Sequence, residues 1–328
     1  MFDTIEDVQK GLHGQQYICG KNIATVVFLA QRLGKPVLVE GPAGVGKTEL
    51  AKVVAGALKL PIIRLQCYEG LDESKALYEW EYSKQLLYTQ MLRDKISEVI
   101  QGADTLKQAA ARIAEQDDVF FSEQFIVPRP LLRAITSDHQ ILLLIDEVDK
   151  SDPEFEAFLL EVLSDYTVSV PELGTLQPKV VPVVFLTSNN AREMTDALKR
   201  RCLHLYIDYP DEEMEIRILK EKVPDIGDKL VQEIVELVQK IRTLDLKKAP
   251  SISETLDWAR ALMLLNADSL EAELVEETMN IILKHQGDIE KAQAELGKLL
   301  QKKAAEVASG EPQRVEPPAA ATKKSVLH

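Results

Sequence analysis

Residues Gly41-Pro42-Ala43-Gly44-Val45-Gly46-Lys47-Thr48 fit the pattern G-x-x-x-x-G-K-[ST]. An apolar stretch from Pro36 to Glu40 precedes them, and a helix-prone stretch opens at Glu49. A strand that turns through glycines into a helix aims its backbone N–H groups inward at a helix N-terminus, where the macrodipole favours an anion. The pattern therefore predicts a phosphate cradle in an α/β sheet. Lys47 would reach the β- and γ-phosphates of a nucleoside triphosphate, and the Thr48 hydroxyl would hold Mg²⁺.

Strand-length β-branched or apolar runs recur at Pro61 to Gln66, Gln140 to Ile145, Val180 to Thr187 and Cys202 to Ile207, with helical stretches between most of them. That alternation predicts a five-stranded parallel sheet covered on both faces by helices. A helix from Asn22 to Leu33 precedes the first strand, and another is expected from Pro153 to Leu163. Two interruptions, at about 69–127 and about 165–182, exceed what a minimal nucleotide-binding sheet needs. The first holds a helix-prone stretch, Ser83 to Gln116, and Phe120-Phe121; the second reads as a hairpin with Gly174 near its tip. After Tyr209-Pro210 the chain turns helical, with stretches at Asp211 to Glu221, Ile226 to Leu244, Ser253 to Leu265 and Leu270 to about Lys303. The expected division is an α/β nucleotide-binding domain over 1–208, a helical domain over 209–305 and a disordered tail over 306–328.

Formal charge is −14, from 39 basic and 53 acidic residues, so a nucleic-acid track would have to work against a repulsive field. Cys19, Cys67 and Cys202 are far apart and lack C-x-x-C spacing, and the five histidines lack ligand spacing, so no disulfide framework or zinc site is expected. The longest apolar runs have strand length, so no membrane span is expected and the predicted location is cytoplasmic.

Ile141 to Ile145 deliver Asp146-Glu147 to the C-terminal end of a buried strand, where ligands of open α/β sheets bind. Asp146 would complete the Mg²⁺ shell, and Glu147 would polarise water for in-line attack on the γ-phosphate. The next strand ends in Thr187-Ser188-Asn189-Asn190; Asn189 is the candidate for bonding both the attacking water and the γ-phosphate. Lys199-Arg200-Arg201 stands just before the last strand, and a guanidinium there, presented to a neighbouring subunit's nucleotide, would neutralise charge on the transferred group. The acidic Glu69, Asp72 and Glu73 read as a solvated loop, and Trp80 as a core residue.

The order of these elements resembles the AAA+ ATPases, and in detail the MoxR branch with its CoxD-like members. The resemblance is carried by Gly41 to Thr48, Leu144 to Lys150, Leu186 to Asn189, Ala197 to Cys202 and the stretch Leu65 to Trp80. It implies that Asn189 is the sensor-1 residue, that Arg200 or Arg201 is the arginine finger, and that Ile18, Cys19 and Gly20 line the adenine pocket. It also implies binding of ATP across Gly41, Pro42, Ala43, Gly44, Val45, Gly46, Lys47, Thr48 and Glu49, with Asp146 and Thr48 on Mg²⁺. Further implications are a ring homo-oligomer, a hexamer, with both inserts facing its pore, a von Willebrand A domain partner, and a protein client that is remodelled or activated, in some members for metal-cofactor insertion. One departure stands out. The family's Ser-x-Arg pattern at the start of a lid helix is here Ser251-Ile252-Ser253, and Arg260 follows on nearly the same helix face about 10 Å along. A DNA-translocating ATPase on the same fold, and a P-loop small-molecule kinase, are the alternatives; charge opposes the first, and the second leaves Glu147, the arginine pair and the hairpin unexplained.

Overall fold

The computed structural model describes residues 1–93, 98, 101, 105, 107–108, 125–170 and 174–295. Strands β1 (Val37–Glu40), β2 (Ile62–Gln66), β5 (Leu142–Asp146), β8 (Val183–Ser188) and β9 (Leu203–Tyr206) form one sheet in the order β2-β5-β8-β1-β9. Every pairing in it is parallel. The five strands expected from apolar runs are these five.

Alternation along β5 shows why the sheet is buried on both faces. Leu142 and Leu144 point into a core with Val37, Val39 and Phe185, closed by helices α1 (Ile5–His13), α2 (Lys21–Leu33) and α3 (Lys47–Leu58). Leu143 and Ile145 point the other way, against α6 (Pro130–Ile135) and α7 (Pro153–Asp165). A strand with apolar residues at every position has no solvent face to offer, so it must sit inside such a sandwich.

Both interruptions take shape at their bases. In the first, α4 (Glu73–Leu77) leads into β3 (Tyr78–Trp80), which pairs antiparallel with β4 (Ile126–Pro128), and α5 (Tyr82–Met91) follows β3. Neither β3 nor β4 was expected: three residues without a turn signal between them carry too little periodicity to stand out as a strand pair. Asp72 caps α4 by accepting the Lys75 N–H, a solvated role as expected. The Trp80 ring packs against Phe125 with centroids 6.1 Å apart. Phe120-Phe121 and most of the helix expected over 83–116 lie outside the described residues, as does the expected tail at 306–328. In the second interruption, β6 (Val168–Val170) pairs antiparallel with β7 (Gly174–Leu176). Gly174 opens β7 with φ 77°, a conformation suited to glycine.

Helix α8 (Asp196–Arg201) lies just before β9, and beyond β9 come α9 (Glu212–Lys222), α10 (Asp228–Arg242), α11 (Ile252–Leu264) and α12 (Ala272–Ile282). Their own core surrounds the fully buried Trp258. The single helix expected from Leu270 to about Lys303 is interrupted: Leu283 is buried with extended backbone, and helix resumes over 286–295. Asp288 accepts N–H groups from Lys247 (2.9 Å) and Lys248 (3.1 Å), which turns Ile289 and Ala292 back onto the core. A straight continuation would carry those two residues away from it.

Glu215 of α9 is wholly buried and meets Arg242 of α10 with two bonds of 2.6 and 2.7 Å. Gln239 and Thr255 also donate to its carboxylate, while Arg242 stacks 4.9 Å over the Tyr209 ring. This cluster ties three helices to the chain's exit from the sheet. Glu215→Ala leaves a guanidinium buried without its carboxylate and is expected to cost about 3–5 kcal/mol. A lowered urea midpoint for loss of helical signal checks it, and an unchanged midpoint would refute the role. Among the described residues no helix is long and apolar enough to cross a membrane.

Candidate active site

The loop between β1 and α3 has the backbone that its glycines require. Gly44 and Gly46 have φ of 76° and 94°. A Cβ on Gly41 would lie 1.9 Å from the Ile207 carbonyl oxygen. Lys47 is buried, and its ammonium donates to the carbonyls of Gly41 (2.8 Å) and Pro42 (2.5 Å). Desolvation holds its pKa below the usual lysine value, against the opposing pull of Asp149, Asp146 and Glu147. An incoming phosphate would replace these two neutral carbonyl acceptors with anionic oxygens.

Asp146 ends β5, almost fully buried. Its Oδ1 accepts from the Thr48 hydroxyl (2.8 Å) and the Thr187 hydroxyl (2.5 Å), so the loop and the sheet edge converge on one carboxylate. The hard oxygens of Thr48 and Asp146, side by side at the mouth of a helix N-terminus, suit Mg²⁺ rather than a softer ion.

Glu147 follows with φ 57°, a left-handed conformation that costs a side-chain-bearing residue on the order of 1 kcal/mol. Its N–H donates to Thr187 Oγ1 (2.9 Å), which holds the turn and aims the side chain away from the core. Three donors meet its carboxylate: Gln66 Nε2 (2.9 Å), Asn189 Nδ2 (3.1 Å) and Lys150 Nζ (2.7 Å). The Lys150 pKa is raised by that contact. Asn189 is itself fixed from behind, because Asp149 Oδ2 accepts its N–H and that of Ala191. The structure thus brings together Lys47, Thr48, Asp146, Glu147 and Asn189 from three separate segments.

Arg64 and Gln66 were not anticipated. Arg64 donates to Asp146 Oδ2 through Nε (3.0 Å) and Nη2 (2.5 Å), and Nη2 also meets Gln66 Oε1. Two long polar side chains at i and i+2 of a strand share one face, and that spacing was the available signal.

A cavity of about 770 Å³ opens between the loop and the helical region. Gly44, Val45, Gly46 and Glu49 form one side, Tyr17, Ile18, Gly20 and Ile23 another, and Met214, Ile218 and Leu256 the third. Apolar walls beside a phosphate cradle suit a nucleobase. Ile18 and Gly20 line this cavity. Cys19 is not in the cavity wall; it packs against the core under α2 and α3, and burial raises its thiol pKa to about 11. Ser253 donates to the Gly44 carbonyl at 3.4 Å, and Arg260 lines the same cavity from α11.

Arg200 and Arg201 stay apart from this constellation. Both are exposed in the last turn of α8, where cations suit the helix dipole. Arg201 Nε donates to Ser164 Oγ on α7, whereas Arg200 makes no hydrogen bond or ion pair among the described residues.

Residues 36–202 match the AAA domain family, dynein-related subfamily, a span of half the chain that includes the loop, the Asp146-Glu147 pair, Asn189 and both arginines. The chain belongs to this AAA family. Membership brings nucleotide binding and a P-loop ATPase fold: the parallel sheet, its flanking helices and a helical C-terminal region. An uncharacterised protein of Staphylococcus aureus (strain USA300) is similar to this AAA protein, 27% identical over 238 residues, covering 70% of this chain and 76% of its own. A counterpart in strain bovine RF122 is 26% identical over the same shares. Among solved structures, the Thermotoga maritima RuvB Holliday junction branch migration motor is 16% identical with TM-score 0.44, covering 93% of this chain and 78% of that one. Its K64R mutant is 17% identical with TM-score 0.46, covering 89% and 77%.

Proposed function

We propose that this AAA protein is a MoxR-type motor that hydrolyses Mg-ATP to remodel or activate a partner protein, working as a ring, with six protomers as the expected number. In this reading residues 1–208 are the nucleotide-binding domain and 209–305 a lid. The lid closes on the base between Ile18, Gly20 and Leu256. Gly41 to Thr48 cradle the phosphates, and Thr48 and Asp146 hold Mg²⁺, which when bound neutralises charge on the phosphoryl oxygens. Glu147, released from its three donors, orients and polarises the attacking water, with Asn189 beside it. Arg200 is the arginine finger offered to the next protomer, since Arg201 is engaged with α7. A von Willebrand A domain protein is the expected companion.

The observation that carries the reading is the exposed apolar surface of α5. Tyr82, Leu86, Leu87 and Met91 are all well exposed, at 74, 62, 58 and 74%, and no residue of α5 is buried. Acidic Glu79 and Glu81 flank them. Each of these glutamates is paired with a base, Glu79 with Arg129 and Glu81 with Lys84, so among the described residues the surface offers apolar contact area without a free basic patch, which favours a polypeptide over a phosphate backbone. Hydrolysis is expected to rise with an unfolded protein such as casein and to ignore duplex DNA. Stimulation by DNA with steep salt dependence would instead establish a nucleic-acid translocase.

A further inference from the structure

We propose that Arg64 is a positioning residue for the metal site: its two-pronged grip on Asp146 Oδ2 keeps Oδ1 turned toward Thr48. The proposal rests on the Mg-nucleotide reading above, and nothing in the sequence motifs assigns Arg64 a role.

The argument starts from acceptor capacity. A carboxylate offers about four lone-pair sites. In this structure all are taken on Asp146: Oδ1 by the hydroxyls of Thr48 and Thr187, Oδ2 by Nε and Nη2 of Arg64. For Asp146 to accept a bond from a metal-bound water, one donor must withdraw. Arg64 has only donors and no other use for Nε here. Thr187 is fixed at both ends, because its oxygen also accepts the Glu147 N–H. Thr48 is the donor free to turn, because its hydroxyl has no other partner among the described residues. The site that opens is therefore on Oδ1, beside Thr48, and it is usable only while the carboxylate keeps its present rotation.

Arg64 is what fixes that rotation, since its guanidinium supplies both donors that Oδ2 has among the described residues. Two N–H groups converging on Oδ2 hold that oxygen from a fixed direction, whereas a single ammonium sets only a distance. A second effect opposes this one, because a cation near Asp146 repels Mg²⁺. Arg64 is 51% exposed on the edge strand β2 while Asp146 is 2% exposed. Solvent screens the repulsion, whereas the orienting bonds act on a buried group, so orientation dominates. The same Nη2 contacts Gln66 Oε1, which fixes the Gln66 amide with its Nε2 toward Glu147. One guanidinium thereby arranges both acidic residues, directly for Asp146 and through an amide for Glu147.

The test uses the full chain and two measurements: ADP affinity in EDTA by calorimetry, and Mn²⁺ affinity of the ADP complex by electron paramagnetic resonance. Arg64→Ala is expected to leave ADP affinity in EDTA near the wild-type value and to weaken Mn²⁺ binding about tenfold, the usual scale for losing a partner of a metal ligand. Arg64→Lys should restore only part of the loss, and Gln66→Ala should leave Mn²⁺ affinity near wild type because Asp146 keeps its four donors. Unchanged or tighter Mn²⁺ binding in Arg64→Ala overturns the proposal. If that variant does not fold, Arg64→Lys decides, and Mn²⁺ binding equal to wild type overturns it likewise. A wild-type protein that fails to bind ADP at all would take the nucleotide reading down as well; normal wild-type binding with unaffected variants removes Arg64 alone.

Discussion

Glu147→Gln is expected to bind ATP as tightly as wild type and to hydrolyse it slower by about 10²- to 10⁴-fold, the range for a lost general base. Binding survives because the cradle, Lys47, Thr48 and Asp146 make no hydrogen bond through the Glu147 side chain. Turnover falls because an amide does not polarise water as a carboxylate does. The amide also presents one acceptor oxygen where the carboxylate meets Gln66, Asn189 and Lys150, so Lys150 loses the partner that raises its pKa. Single-turnover hydrolysis beside equilibrium ATP binding separates the two effects. Normal turnover would remove Glu147 from the chemistry.

Arg200→Ala is expected to lower turnover by about 10³- to 10⁵-fold, the scale of an arginine that neutralises transition-state charge. ATP affinity of the isolated subunit should be unaffected, because Arg200 touches neither the cavity nor the two carboxylates of its own chain. Arg201→Ala should cost much less, since that side chain is tied to Ser164. Loss of nucleotide affinity in an isolated Arg200→Ala subunit would place the arginine in its own site instead.

The parts of this site that were legible in the sequence are those whose chemistry sits in consecutive residues. Gly41 to Thr48 specify a turn, and Asp146-Glu147 after Leu142 to Ile145 specify a strand end; both were readable because local backbone demands fix their residue types. Arg64 and Gln66 were not, because their partners are 82 and 81 residues away and only the parallel pairing of β2 with β5 brings them together. The Glu215–Arg242 pair escaped for the same reason: Glu215 is one of four glutamates in Glu212 to Lys222, and such a run on a helix reads as solvated charge. Leu283 lies in a stretch of strong helical pattern, and tertiary bonds to Asp288 override it. The resemblance put Cys19 in the adenine pocket with Ile18 and Gly20; those two line the cavity, whereas Cys19 packs against the core.

The central claim is that one protomer supplies the cradle and carboxylates while its neighbour supplies the guanidinium. Mixing Glu147→Gln with Arg200→Ala subunits tests it most directly, by steady-state ATP hydrolysis of the mixture against each variant alone. In mixed rings some interfaces pair an intact Glu147 with an intact Arg200 from the adjoining subunit, so activity should return well above that of either variant. A mixture as inactive as its components, although it forms rings, would contradict the shared site.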